Sequence, residues 1–163
     1  NIIDYMGHID LDEFYLQMLD IKIAGIHSLC YTPGNIEENT SAMIGAISNP
    51  YIDIISHPGD GTATLLFEPV VLASKKYGTL LEINNSSLNP VRHKTEARKN
   101  NIEILQLCKK YEVPVILGSD AHISFDIANY ENIYPLLQET ELPQELIIND
   151  KPETFKKRIN ATP

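Results

Sequence analysis

The chain has 163 residues, is 43% apolar and carries a formal net charge of −9. That length suits one domain with a real core, and the composition is globular rather than disordered. The acidic balance argues against nucleic-acid partners, and no apolar run approaches the roughly 20 residues that span a bilayer, so no membrane association is expected.

In chain order, Ile2 to Asp4 reads as the end of a strand, with Met6-Gly7-His8 as a turn. Apolar residues at Leu11, Phe14, Tyr15 and Met18 predict a short helix, with Asp10 or Asp12 near its N-terminus. Ile21 to Ile26 is a predicted strand ending in Gly25-Ile26-His27. Asn35 to Ile47 reads as a helix, its start punctuated by Pro33-Gly34. The strand Ile52 to Ile55 runs into Ser56-His57-Pro58-Gly59. Phe67 to Tyr77 is a helix closed by Gly78. Leu80 to Asn84 is a strand followed by the polar loop Asn85-Ser86-Ser87. Thr95 to Tyr111 is a long helix that turns Ile102, Leu105, Leu107 and Cys108 to the core.

Val113 to Leu117 is a buried strand that runs into Gly118-Ser119-Asp120-Ala121-His122. Ile127 to Leu137 is expected to be helical, ended or kinked at Pro135. Leu146 to Ile148 reads as a last strand and Pro152 to Ile159 as a terminal helix with Pro in its first turn. Strands and helices alternate without a linker or repeat, which predicts one α/β domain (residues 1–163) around a parallel sheet. The two cysteines, Cys30 and Cys108, lie far apart. They suit a reducing, cytoplasmic setting, and Cys30 is expected to be a small buried residue. The chain opens on Asn1 inside an apolar segment, so a longer parent protein is expected.

Strand ends carry the chemistry. Gly25-Ile26-His27, Ile55-Ser56-His57-Pro58, Glu82-Ile83-Asn84-Asn85-Ser86 and Gly118-Ser119-Asp120-Ala121-His122 all finish predicted strands. In a parallel sheet those ends share one edge, so the side chains should converge. A lone histidine is more often a satisfied core or loop residue. Three of the five histidines at strand ends instead favour divalent metal ligation, with zinc first and manganese or iron as alternatives. His8 and His93 read as surface residues. The chain has no GxSxG elbow and no phosphate-cradling GxxxxGK[ST] loop, which leaves serine hydrolysis and nucleotide triphosphate chemistry without support.

These four segments, in this order, resemble the later motifs of the PHP (polymerase and histidinol phosphatase) family, most nearly its YcdX-like bacterial phosphatase branch. The resemblance implies a distorted (βα)7 TIM-like barrel with a multinuclear metal cluster at its C-terminal face. It implies that His27 and His57 hold one metal, that Asp120 ligates a second and serves catalysis, and that His122 completes a third. Arg92 is similar to a basic loop residue that neutralises substrate phosphate, and Asn85 and Ser86 would help to bind the substrate. Glu82 matches no ligand motif and is expected to hydrogen-bond inside the barrel mouth.

The family's opening His-x-His, two further His and a bridging Glu are not in this chain, which would form the C-terminal two-thirds of a barrel. The expected activity is metal-dependent hydrolysis of a small phosphomonoester, impaired or lost in this chain alone. The alternatives are a metal-binding or structural remnant that forms a homo-oligomer across open sheet edges, or another metal-dependent enzyme of amidohydrolase type.

Overall fold

A computed structural model describes residues 1–159. Four strands, β1 (Ile23–Ala24), β2 (Ile54–Ile55), β3 (Leu80–Asn84) and β4 (Val115–Gly118), form one parallel sheet in the order β1-β2-β3-β4. Seven α-helices are present among the described residues: α1 (Glu13–Leu16), α2 (Ile36–Ser48), α3 (Phe67–Tyr77), α4 (Asn85–Leu88), α5 (Ala97–Tyr111), α6 (Tyr134–Thr140) and α7 (Pro152–Ile159). Neighbouring strands in sequence are neighbours in space, the usual arrangement of consecutive βα units. The crossover helices pack in series, α2 on α3, α3 on α5 and α5 on α6.

Local chemistry explains the well-formed helices. Asn35 and Glu38 make a reciprocal capping box at the start of α2, which satisfies backbone donors that the helix leaves unpaired. Gly78 closes α3 in the left-handed region at φ 83°, where a Cβ would be strained. Strand alternation then divides the sheet's two faces. Ile55, Leu81, Ile83, Val115 and Leu117 enter the main core with the buried faces of α2, α3 and α5. Ile54 and Leu80 point the other way, into a small cluster with Ile148, Ile116 and Phe155 of α7.

The sheet edges differ. Beside β4, Ile148 N–H donates to the Val115 carbonyl, and the Asn149 side chain both donates to and accepts from Leu117. An amide side chain therefore does the pairing work of another strand. At β1, Ile2 N–H donates to the Gly25 carbonyl, while Ile23 stays 58% exposed.

Some elements are shorter than the periodicity predicts. The segment from Leu11 to Met18 keeps one helical turn, Glu13–Leu16, with Asp12 rather than Asp10 as its cap: the Asp12 side chain accepts from Phe14 N–H. Pro135 begins α6 rather than breaking a helix from Ile127; its missing N–H costs nothing in a first turn. Leu146 ends a 3₁₀ turn, and Ile147 forms only a single bridge to Val115. The polar segment after β3 is a helical turn capped by Asn84, not a loop. Cys30 is exposed, contrary to expectation, whereas Cys108 is buried, and burial pushes its thiol pKa up to about 12. No helix among the described residues is long and apolar enough to cross a membrane.

Candidate functional site

The carboxyl ends of the strands meet at a cleft of about 330 Å³ lined by His27, His57, Asp60, Arg92, Lys94, Asp120 and His122, among others. All four predicted metal ligands and Arg92 are therefore brought to one place. His27 follows β1 and His57 follows β2, and their Nε2 atoms stand 3.0 Å apart with the rings edge to face. One nitrogen must carry hydrogen while the other accepts. Burial, with the adjacent His57 next in effect, holds the His27 pKa below its ordinary value. The lowered pKa favours the neutral imidazole of His27, the form that ligates a metal.

His57 is fixed from two sides. Its backbone N–H donates to Glu82 Oε2 at 2.8 Å, and its Nδ1 lies 3.5 Å from Asp60 Oδ2. It sits at φ 35°, a strained backbone position for a residue with a Cβ. Glu82 also accepts from Asn84 Nδ2 at 3.1 Å. Burial raises the Glu82 pKa, and the nearby Asp120 charge adds to that, against the lowering effect of its hydrogen bonds. Room for the Glu82 carboxylate comes from Gly118: a Cβ there would lie 1.7 Å from Oε1. Asp60 is buried, and burial works against its charge. Lys94 Nζ at 2.6 Å and the Thr62 hydroxyl at 2.7 Å outweigh that penalty and hold its pKa below the carboxylate norm.

Asp120 and His122 have less support. Asp120 is exposed in the left-handed region at φ 49°, and His122 is exposed beside it. His122 Nδ1 lies 2.9 Å from the Asp120 carbonyl and 3.2 Å from Arg92 Nη2. One nitrogen cannot donate to the first and accept from the second. An Nδ1–H donated to the carbonyl fits the shorter contact, and in that tautomer Nε2 is the nitrogen that could ligate a metal.

Ser86 lines the cleft, as does Arg92, while Asn85 is buried and lines an adjoining polar cavity. Asp60, Thr62 and Lys94 were not singled out in the sequence. Asp60 lies three residues beyond His57 in the same turn, the one local signal available. His8 and His93 are exposed; His8 pairs with the Asp4 carboxylate at 2.6 Å, and His93 terminates a 3₁₀ turn.

The donors fit part of a metal centre. Two imidazole nitrogens bound to one ion at about 2.1 Å each would lie roughly 3 to 3.5 Å apart, close to the His27–His57 spacing. Among the described residues, however, no three His, Cys, Asp or Glu side chains converge as a metal-binding group.

No family model matches the chain. It is 46% identical over 149 residues to a protein of Clostridium novyi (strain NT) named "Probable phosphatase", covering 91% of this chain and 60% of that one. It is 48% identical over 155 residues to a "Probable phosphatase" of Caldicellulosiruptor bescii, covering 95% of this chain and 63% of the relative. A third "Probable phosphatase", from Acetivibrio thermocellus, is 41% identical over 159 residues, covering 98% and 65% respectively. The chain thus spans 60% to 65% of the length of these curated relatives.

Proposed function

We propose that this chain carries part of the active site of a PHP-type, metal-dependent phosphatase that hydrolyses small phosphomonoesters. The observation that carries the reading is the His27–His57 pair, its Nε2 atoms 3.0 Å apart, in one cleft with Arg92. Its similarity to relatives named "Probable phosphatase" supports the same reaction. The four-stranded parallel sheet is consistent with part of a TIM-like barrel, and the exposed side of β1 is where further strands would add.

His27 and His57 would hold one divalent ion, with zinc the first choice and manganese or iron the alternatives. Asp120 and His122 would serve neighbouring ions of a multinuclear cluster. When bound, divalent ions neutralise phosphoryl oxygens and lower the pKa of water enough to form hydroxide near neutral pH. Arg92 supplies a planar pair of donors that can orient a phosphate. Ser86 adds a hydroxyl donor at the same wall. Glu82 holds the His57 backbone, and Lys94 keeps the Asp60 charge paired behind the His57 ring.

The activity is assigned to a protein of the relatives' length, and this chain alone is expected to be impaired or inactive; among its described residues no three metal donors converge. Exposed Phe14, Met18, Ile21 and Ile23 favour self-association of the isolated chain through the β1 side. Light scattering at micromolar concentration should give a dimer; a monomer would refute that part.

The test of the main reading is phosphate release from phenyl phosphate by a protein of the relatives' length, supplied with zinc or manganese. Turnover that a chelator abolishes and added metal restores is expected. Absence of release from any phosphomonoester in a broad panel would refute the phosphatase reading.

A further inference from the structure

A second cavity of about 250 Å³ adjoins the catalytic cleft and shares Ser86, Arg92 and Asp120 with it. Its walls come from the turn after β3, the end of β4 and the segment between β4 and α6. Almost everything that lines it is polar, and three asparagines are oriented in the same way. Asn85 Oδ1 accepts from Asn132 N–H at 2.9 Å, Asn89 Oδ1 from Val91 N–H at 3.1 Å, and Asn129 Oδ1 from Glu131 N–H at 3.0 Å. Each carbonyl oxygen is thus engaged by backbone, which fixes which end of each amide is nitrogen. The three NH₂ groups stay available as donors. The Ser119 hydroxyl and the Asp126 carboxylate, both half-buried in the same wall, add a donor–acceptor and an acceptor.

A cavity with this inventory recognises hydroxyl groups. Each hydroxyl both donates and accepts, so alternating Asn donors and an Asp acceptor satisfy adjacent hydroxyls on one carbon chain. An apolar or aromatic group would strip water from these polar atoms and return no hydrogen bonds. A second anion would meet the Asp126 and Asp120 carboxylates.

We propose that this cavity is the leaving-group subsite, and that it selects phosphomonoesters of polyhydroxylated alcohols, the sugar or polyol phosphates. The inference rests on the phosphatase reading, since Arg92 at the shared wall is taken to hold the phosphate. With phosphate at Arg92, the carbon chain of the ester extends between Asn85, Asn89 and Asn129.

The test compares kcat/KM for a pentose phosphate, n-pentyl phosphate and phenyl phosphate on the metal-supplied protein of the relatives' length. The pentose phosphate is expected to be preferred over n-pentyl phosphate by about tenfold or more, as two or three formed hydrogen bonds would give. The double variant Asn89→Asp/Asn129→Asp keeps each backbone-accepting oxygen and removes the donors. It should bring the pentose-to-pentyl ratio down by about tenfold. Because both esters are measured on one preparation, a folding defect cancels in the ratio. Hydrolysis of pentyl or phenyl phosphate as fast as the pentose ester, or an unchanged ratio in the variant, overturns the subsite alone. Release from other phosphomonoesters but from none of these three also overturns the subsite alone; release from none in the broad panel overturns the phosphatase reading, and the subsite falls with it.

Discussion

The two histidine-bearing sides of the cleft are built differently. His57 follows directly on β2, its backbone held by Glu82 of β3 and its ring backed by the Asp60–Lys94 pair. Asp120 and His122 lie beyond β4 on exposed backbone, and their nearest contacts are with each other and Arg92. The first side is set in place by the sheet before any ligand arrives. The second must gain its final geometry from what binds there. A site built this way has one fixed anchor and one adaptable wall.

The sharpest way to break that comparison is to remove the anchor. His57→Ala is expected to lower phosphate release by roughly a thousandfold in the protein of the relatives' length, and His122→Ala by about ten- to a hundredfold, since water more readily replaces an exposed ligand that the fold does not hold in position. Equal losses at the two positions, in steady-state assays with added zinc or manganese, would mean that both sides are equally fixed.

Gly118→Ala probes the anchor's support without touching a ligand. Its new Cβ would collide with Glu82 Oε1 and displace the carboxylate from the His57 N–H. A ten- to hundredfold loss, roughly matching that of Glu82→Ala, is expected. The two losses should not add in the double variant, because both act through one hydrogen bond. Additive losses would show that Gly118 matters for another reason.

On the adaptable wall, Arg92→Lys keeps the charge and loses the planar fork. It should raise KM by about tenfold with a smaller change in kcat. Loss confined to kcat would move Arg92 from phosphate binding to the reaction itself.

The smallest effect concerns stability. Lys94→Met leaves the buried Asp60 carboxylate without its cation and should cost about 1 to 3 kcal/mol, less than for a fully buried pair because Lys94 is exposed. Asp60 has its pKa lowered by folding. Its contribution is therefore complete above the unfolded carboxylate value and disappears as pH falls through the lower folded value. The wild-type and variant melting temperatures should converge in that acid range, below about pH 4; a constant gap would exclude the pair as the cause.

The sequence made the anchor legible and the wall only partly so. Histidines at the ends of β1 and β2 stand out because hydrophobic runs lead into them, and a parallel sheet brings such ends together. The helices with strong signals, the Asn35-to-Glu38 box and the Gly78 stop, also lie where the pattern put them. Lys94 carried no signal, since its partner Asp60 is 34 residues away in sequence and their meeting depends on the packed turns after β2 and β3. Asn149 was hidden for the same reason: nothing local distinguishes an asparagine that replaces a strand's backbone. The role of Pro135 is not legible in the sequence, because a proline in a first turn and a proline inside a helix give the same residue pattern until the cap is known. The exposure of Cys30 depends on the turn it occupies after His27, which composition does not reveal.

The most direct test of the account is the metal content of the purified protein of the relatives' length, compared between wild type and His27→Ala/His57→Ala by elemental analysis. The wild type is expected to retain divalent metal through purification, and the double variant to have lost at least one ion per chain while its circular dichroism is unchanged. Equal metal content in a folded double variant would contradict the assignment of this pair as the anchor of the site.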